Sequence, residues 1–302
     1  MIRKLPPHSL SLILMRRLVL GVLNSLFTLL ITSGVQAQTD SSLVIEPVEH
    51  VYASPGGVEL KAHVFSIEKG KADSQRPAII LFHGGGWAEG GPEWAFPRAK
   101  HYARLGMVAV AAQYRLSDQK EITPLEAMDD SRSVIRWMRR HSDSLGIDPE
   151  HIVAFGWSAG AHLAMCAAMF DSSDSISAAP NALVLVSPAV SLASDGWVQR
   201  LLGQRADARD ISPDEHVRGK LPPALVLVGS VDTVTPLSGV KRFCDRMVAA
   251  GNDCRLHVYE GYGHLFTPKG IPDDGMPQPD PTISADARAR ADQFLKSLGF
   301  LK

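Results

Sequence analysis

The chain has 302 residues, 45% of them hydrophobic, with 31 Lys and Arg against 32 Asp and Glu. That balance excludes a disordered chain, which needs low hydrophobicity and high net charge, and it leaves no basic stripe for nucleic acid. With 3 Cys and 25 Gly, disulfide-dense and collagen-like scaffolds are excluded too.

Residues 18–31 (LVLGVLNSLFTLLI) follow Arg16 and Arg17 and precede Val35-Gln36-Ala37, a small-x-small site. This is the layout of a cleavable secretory signal peptide over residues 1–37, and the apolar run is short for the ~20 residues of a membrane span. The expectation is a secreted or periplasmic protein without stable membrane association after cleavage, with residues 38–302 forming a single domain. Residues 43–51 and 58–65 read as strands around the turn Pro55-Gly56-Gly57. Residues 77–82, 107–112, 152–155, 182–186 and 224–228 are short continuous apolar runs, as in strands buried on both faces of a parallel sheet. Residues 256–259 make a last strand. Helical patterns fall at 124–141, 159–169, 236–250 and 284–298, the second apolar almost all round. The alternation predicts a mostly parallel sheet of about eight strands flanked by helices. Residues 191–221 lack periodicity and are placed over the top of the sheet. Residues 266–282 hold five prolines and read as a long loop.

Three segments carry chemistry. Gly156-Trp157-Ser158-Ala159-Gly160 lies between a strand and a buried helix, the setting of a nucleophile elbow that lifts the Ser158 hydroxyl into the open. His83-Gly84-Gly85-Gly86-Trp87 follows the strand 77–82. Consecutive glycines let backbone N–H groups converge on one point, as an oxyanion requires, and the N–H of Ala159 completes such a hole. Asp232 and His264 each sit just beyond a strand, in the chain order Ser, Asp, His. A serine nucleophile needs a base of matched pKa, and the base needs a carboxylate to fix its tautomer. His162 is expected to pack or cap. Asp129 and Asp130 are expected at a helix surface or in ion pairs with Arg132 or Arg136, and Asp148 in a turn. Glu260 is the one rival to Asp232. No HExxH or CxxC pattern suggests a metal, and the chemistry needs no cofactor.

Together these motifs resemble the α/β-hydrolase fold and, more narrowly, the acetyl-esterase and hormone-sensitive-lipase-like carboxylesterases. The stretch Gly-Ile-Asp-Pro to Gly-Trp-Ser-Ala-Gly-Ala-His-Leu-Ala is similar to the branch of bacterial feruloyl and acetylxylan esterases. The resemblance spans residues 58–301. It implies a serine ester hydrolase whose oxyanion donors are Gly85 and Gly86, and whose cap is minimal, since little chain precedes the first strands. The hormone-sensitive-lipase group places Asp before the nucleophile and Gly after the motif; here Trp157 and Ala161 stand there, which favours the feruloyl/acetyl branch. The expected substrate is a small-molecule or oligosaccharide ester, acetyl first. A lipase-like or feruloyl carboxylesterase is the alternative, and a non-catalytic binding protein of the same fold a further one. Trp87, Trp157 and Trp197 are candidate ring contacts for a substrate. Cys166 is expected to be a packed thiol, and Cys244 and Cys254, ten residues apart, a disulfide that export permits.

Overall fold

A strand that is apolar at every position needs cover on both faces. The computed structural model, which describes residues 44–67, 75–118, 121–170, 174–272 and 275–302, provides it. The expected leader, 1–37, lies outside the described residues. The strands are β1 (Val48–Ala53), β2 (Leu60–Phe65), β3 (Arg76–Phe82), β4 (Val108–Ala112), β5 (Ile147–Trp157), β6 (Ala182–Val186), β7 (Ala224–Gly229) and β8 (Cys254–Tyr259). The helices are α1 (Phe96–Arg104), α2 (Pro124–Arg140), α3 (Ser142–Leu145), α4 (Ala159–Met169), α5 (Gly196–Leu202), α6 (Leu237–Ala249) and α7 (Pro281–Ser297). The sheet runs β1-β2-β4-β3-β5-β6-β7-β8. Only the β1–β2 and β2–β4 pairs are antiparallel. This is the α/β-hydrolase fold.

Two apolar layers sandwich the sheet. Along β3, Ala78, Ile80 and Phe82 belong to the apolar layer that includes residues of α2, α4 and α6, while Ile79 and Leu81 belong to the one that includes residues of α1 and α7. Period-2 alternation thus serves both layers, which is why the sequence shows unbroken apolar runs. Every residue of α4 is buried, as its all-round apolarity demands. The start of α2 is set by a capping box, in which Thr123 accepts from the backbone and Glu126 reaches back to the Thr123 N–H at 2.8 Å.

Several elements depart from the sequence reading. Helix α1 has no counterpart there, because its buried face is only Ala99, Tyr102 and Ala103. Strand β5 starts at Ile147 rather than 152, but Asp148 does make the expected local turn: its carboxylate accepts from the Glu150 N–H at 2.9 Å, and the register against β3 jumps from Arg76–Ile147 to Ala78–Ile152. Residues 191–221 form α5 and two 3-10 turns, and α7 begins at Pro281, inside the proline-rich stretch. Cys166, Cys244 and Cys254 are free thiols. The expected Cys244–Cys254 bridge is thus replaced by a hydrogen-bonded thiol pair, and that bond, with burial, pushes the Cys254 thiol far up.

Two buried polar groups have specific partners. Asp130 is buried and pairs with Arg115 rather than Arg132 or Arg136. It accepts from the Arg115 N–H at 2.8 Å and from the guanidinium at 2.7 and 2.9 Å. Its neighbour Asp129 does pair with Arg132. His162 is buried, with Nε2–H donating to the Ile211 carbonyl at 2.8 Å and Nδ1 accepting from the Trp87 indole at 3.3 Å. Burial pushes the His162 pKa down to about 4, from 6.5, and does the same to His83.

Two predictions follow from these partners. Asp130→Ala strands a mostly buried guanidinium and should lower the unfolding free energy by about 3 kcal/mol in urea titrations. Removal of the exposed Asp253–Arg255 pair should change it by less than about 1 kcal/mol. The folded chain binds a proton at His162 only near pH 4, whereas the unfolded chain binds one near 6.5. Stability should therefore hold above that upper value and drain away as the pH falls toward the lower one. Melting temperatures across this window should show the decline, and His162→Gln should lessen it, with His83 supplying the remainder.

Candidate active site

The turn from β5 into α4 governs the site. A Cβ on Gly156 would collide with the Gly160 carbonyl, and one on Gly160 with the carbonyls of Phe82 and His83. Neither glycine has a positive φ, so their role is close approach. The strain falls instead on Ser158, at φ +52° and ψ −122°. Among the described residues, five of the six non-glycine positions with positive φ (Trp87, Ser158, Ser187, Leu265 and Phe266) lie just beyond the C-terminal ends of strands, around this turn. The Ser158 N–H donates to the Val186 carbonyl at 3.0 Å, which anchors the turn to β6.

Loops after β7 and β8 bring Asp232 and His264 to Ser158. His264 Nε2 is 3.0 Å from Ser158 Oγ, and its Nδ1 lies 3.1 and 3.2 Å from the Asp232 carboxylate. Asp232 is 5% exposed and accepts from the N–H groups of Val234 and Thr235 at 3.0 and 2.7 Å, and from the Thr235 hydroxyl at 2.8 Å. Thr235 and Ser187 are supports that the sequence reading missed. Thr235 was visible as a residue three beyond Asp232, the spacing of a local Asx-type bond. Ser187 accepts from the Leu265 N–H at 3.1 Å and holds the His264 loop, a contact 78 residues apart that leaves no local signal. Glu260, the rival acid, is exposed.

The glycine loop stands beside the elbow. Gly85 and Gly86 have φ of +104° and +58°, and a Cβ on Gly85 would strike the Glu89 carbonyl. Among the described residues, the N–H groups of Gly85, Gly86 and Ala159 are bonded to no protein acceptor. The loop is held from behind by Tyr114, whose hydroxyl donates to the His83 carbonyl at 2.9 Å and whose ring stacks on His83 at 4.3 Å. Of the three candidate tryptophans, Trp87 is 3% exposed and spends its indole N–H on His162, so it packs inside rather than facing a substrate. Trp157 is buried on the α1/α7 side, with its indole against Gly84. Trp197 is 39% exposed and donates to the Gly86 carbonyl at 3.1 Å, over the glycine loop. Among the described residues no cluster of His, Cys, Asp or Glu suits a metal ion.

The chain is also similar to known proteins. The BD-FAE family model matches residues 66–247. Esterase 2 of Thermogutta terrifontis is 33% identical, with a TM-score of 0.75 over 85% of this chain and 96% of that one. Esterase LipQ of Mycobacterium tuberculosis is 27% identical over 221 residues, 65% of this chain and 52% of LipQ. Carboxylesterase NlhH of the same organism is 35% identical over 89 residues, 29% of this chain and 27% of NlhH. The chain spans about half the length, or less, of the curated relatives it matches. The chain belongs to the BD-FAE family, within the α/β-hydrolase carboxylesterases.

Proposed function

We propose that this chain is an exported serine esterase that hydrolyses short-chain carboxylic esters, acetyl groups on carbohydrates first among them. The observation that carries the reading is the unbroken line Ser158 Oγ, His264 and Asp232, with bonds of 3.0 and 3.1 Å. His264 Nε2 takes the Ser158 proton as Oγ attacks the ester carbonyl, and Asp232 holds Nδ1–H and stabilises the imidazolium. The free N–H groups of Gly85, Gly86 and Ala159 meet the oxyanion. Collapse expels the alcohol, which takes the proton from His264 and leaves an acyl group on Ser158. A water molecule, deprotonated by His264, then releases the acid and restores the serine. No metal or organic cofactor is required for this cycle.

The acyl preference is supported by Thermogutta terrifontis esterase 2, whose solved forms include propionate-bound and butyrate-bound ones. The ring of Trp197, exposed over the glycine loop, suits a flat sugar or aryl face. The apolar run at 18–31 and its flanks support export.

Ser158→Ala and His264→Ala should each lower kcat by at least ~10³. Asp232→Asn should also lower it strongly, and Glu260→Gln should leave it near the parent value; the reverse order would reassign the acid. A series of p-nitrophenyl esters, run beside acetylated xylan and methyl ferulate, should peak at the shortest acyl groups with acetate released from the sugar polymer. Rates that keep rising with acyl length would point to a lipase-like carboxylesterase, and methyl ferulate as the preferred substrate to a feruloyl esterase. Absence of any hydrolysis would leave a binding protein on this fold.

A further inference from the structure

A cavity of about 250 Å³ lies between α1, α7 and the ends of β5 and β6. Trp94, Arg98, Trp157, Leu265, Ser284 and Arg288 are among its walls, while Ser158 and His264 are not. Arg98 lies over two aromatic faces, with Cζ 4.5 Å from the Phe155 ring centre and 5.2 Å from that of Trp157. Those faces attract the charge but accept none of the five N–H groups of a guanidinium. Among the described residues, neither Arg98 nor Arg288 has a hydrogen-bond acceptor or an acidic partner. Other arginines that reach the interior do have one, as Arg115 has Asp130 and Arg136 has Asp174.

The arrangement runs against ordinary packing. A charge drawn partly out of water without a counter-charge is costly, and a guanidinium does not escape by losing its proton. Burial pushes the Arg98 pKa down, and the charge of Arg288 adds to that push. Two like charges on one cavity wall repel unless an anion sits between them. A planar carboxylate matches the guanidinium fork, and an aromatic or branched apolar body matches the rings of Trp94, Phe155 and Trp157. The small volume restricts that body to about one ring.

We propose that this cavity is a binding site for a small monocarboxylate with an aromatic or branched apolar body, its carboxylate held by Arg98 and Arg288. It is separate from the line Ser158–His264–Asp232 and does not rest on the esterase reading. It is nonetheless one residue removed from Ser158 and from His264, through Trp157 and Leu265.

The test is a titration of the full chain with 3-phenylpropionate and with its uncharged amide, followed by calorimetry and tryptophan fluorescence. The acid should bind at least ~10-fold more tightly than the amide, the worth of a charge-assisted hydrogen bond. Arg98→Gln should abolish that preference, Arg98→Lys should retain part of it, and Arg288→Gln should narrow it. Should Arg98→Gln fail to fold, Arg288→Gln, on the exposed side of α7, carries the test. Equal binding of acid and amide, no binding of either, or a preference that survives both glutamine variants would overturn the proposal, the last by placing the carboxylate elsewhere.

Discussion

The site depends on one steric constraint, the absence of any room for a side chain at Gly156 and Gly160. Because Gly160 rests on the carbonyls of Phe82 and His83, the first turn of α4 is pressed onto the end of β3. That contact fixes two things at once. It places the Ala159 N–H beside the glycine loop that follows β3, and it forces the chain reversal into the single residue Ser158, at a positive φ that a serine adopts only under compulsion. The elbow and the loop are therefore not two independently positioned pieces, since the same close approach sets both.

The remaining parts are held by polar bonds rather than by packing. Asp232 is buried, and its charge is spread over two backbone N–H groups, one hydroxyl and the imidazole. Those donors keep the carboxylate oriented with little freedom to rotate. The His264 loop has positive φ at both Leu265 and Phe266, and it is pinned by Ser187, a residue that is strained as well. Strain at the ends of four strands thus converges on one point above the sheet, as in sites whose geometry is held by the surrounding fold.

Much of this was legible in the chain, for physical reasons. Each of the five central strands carries an unbroken apolar run where both its faces are covered, so they announced themselves. Ser158, Asp232 and His264 were visible because each closes a strand at the same edge of a parallel sheet. What the sequence hid is what depends on distant partners. Asp130 looks like any helix-surface acid until Arg115, fifteen residues upstream, folds onto it. Trp87 looks like a site residue by position, yet His162 takes its indole N–H and draws it inward. Helix α1 buries only Ala99, Tyr102 and Ala103, too faint a stripe to read against two prolines nearby. The thiols of Cys244 and Cys254 were paired correctly as neighbours, but as a hydrogen-bonded pair and not a covalent one.

The strand order has a consequence for how the molecule comes together. β3 and β5 are adjacent at the centre of the sheet, although α1, β4, α2 and α3 lie between them in the chain, and β8 completes an edge. Such non-local pairing makes the fold slow to assemble. The elbow is built from β5, α4 and the end of β3. Its histidine arrives only with the loop that follows the outermost strand, more than a hundred residues later in the chain. The Ser158–His264 contact therefore joins the middle of the sheet to the loop beyond its edge strand β8.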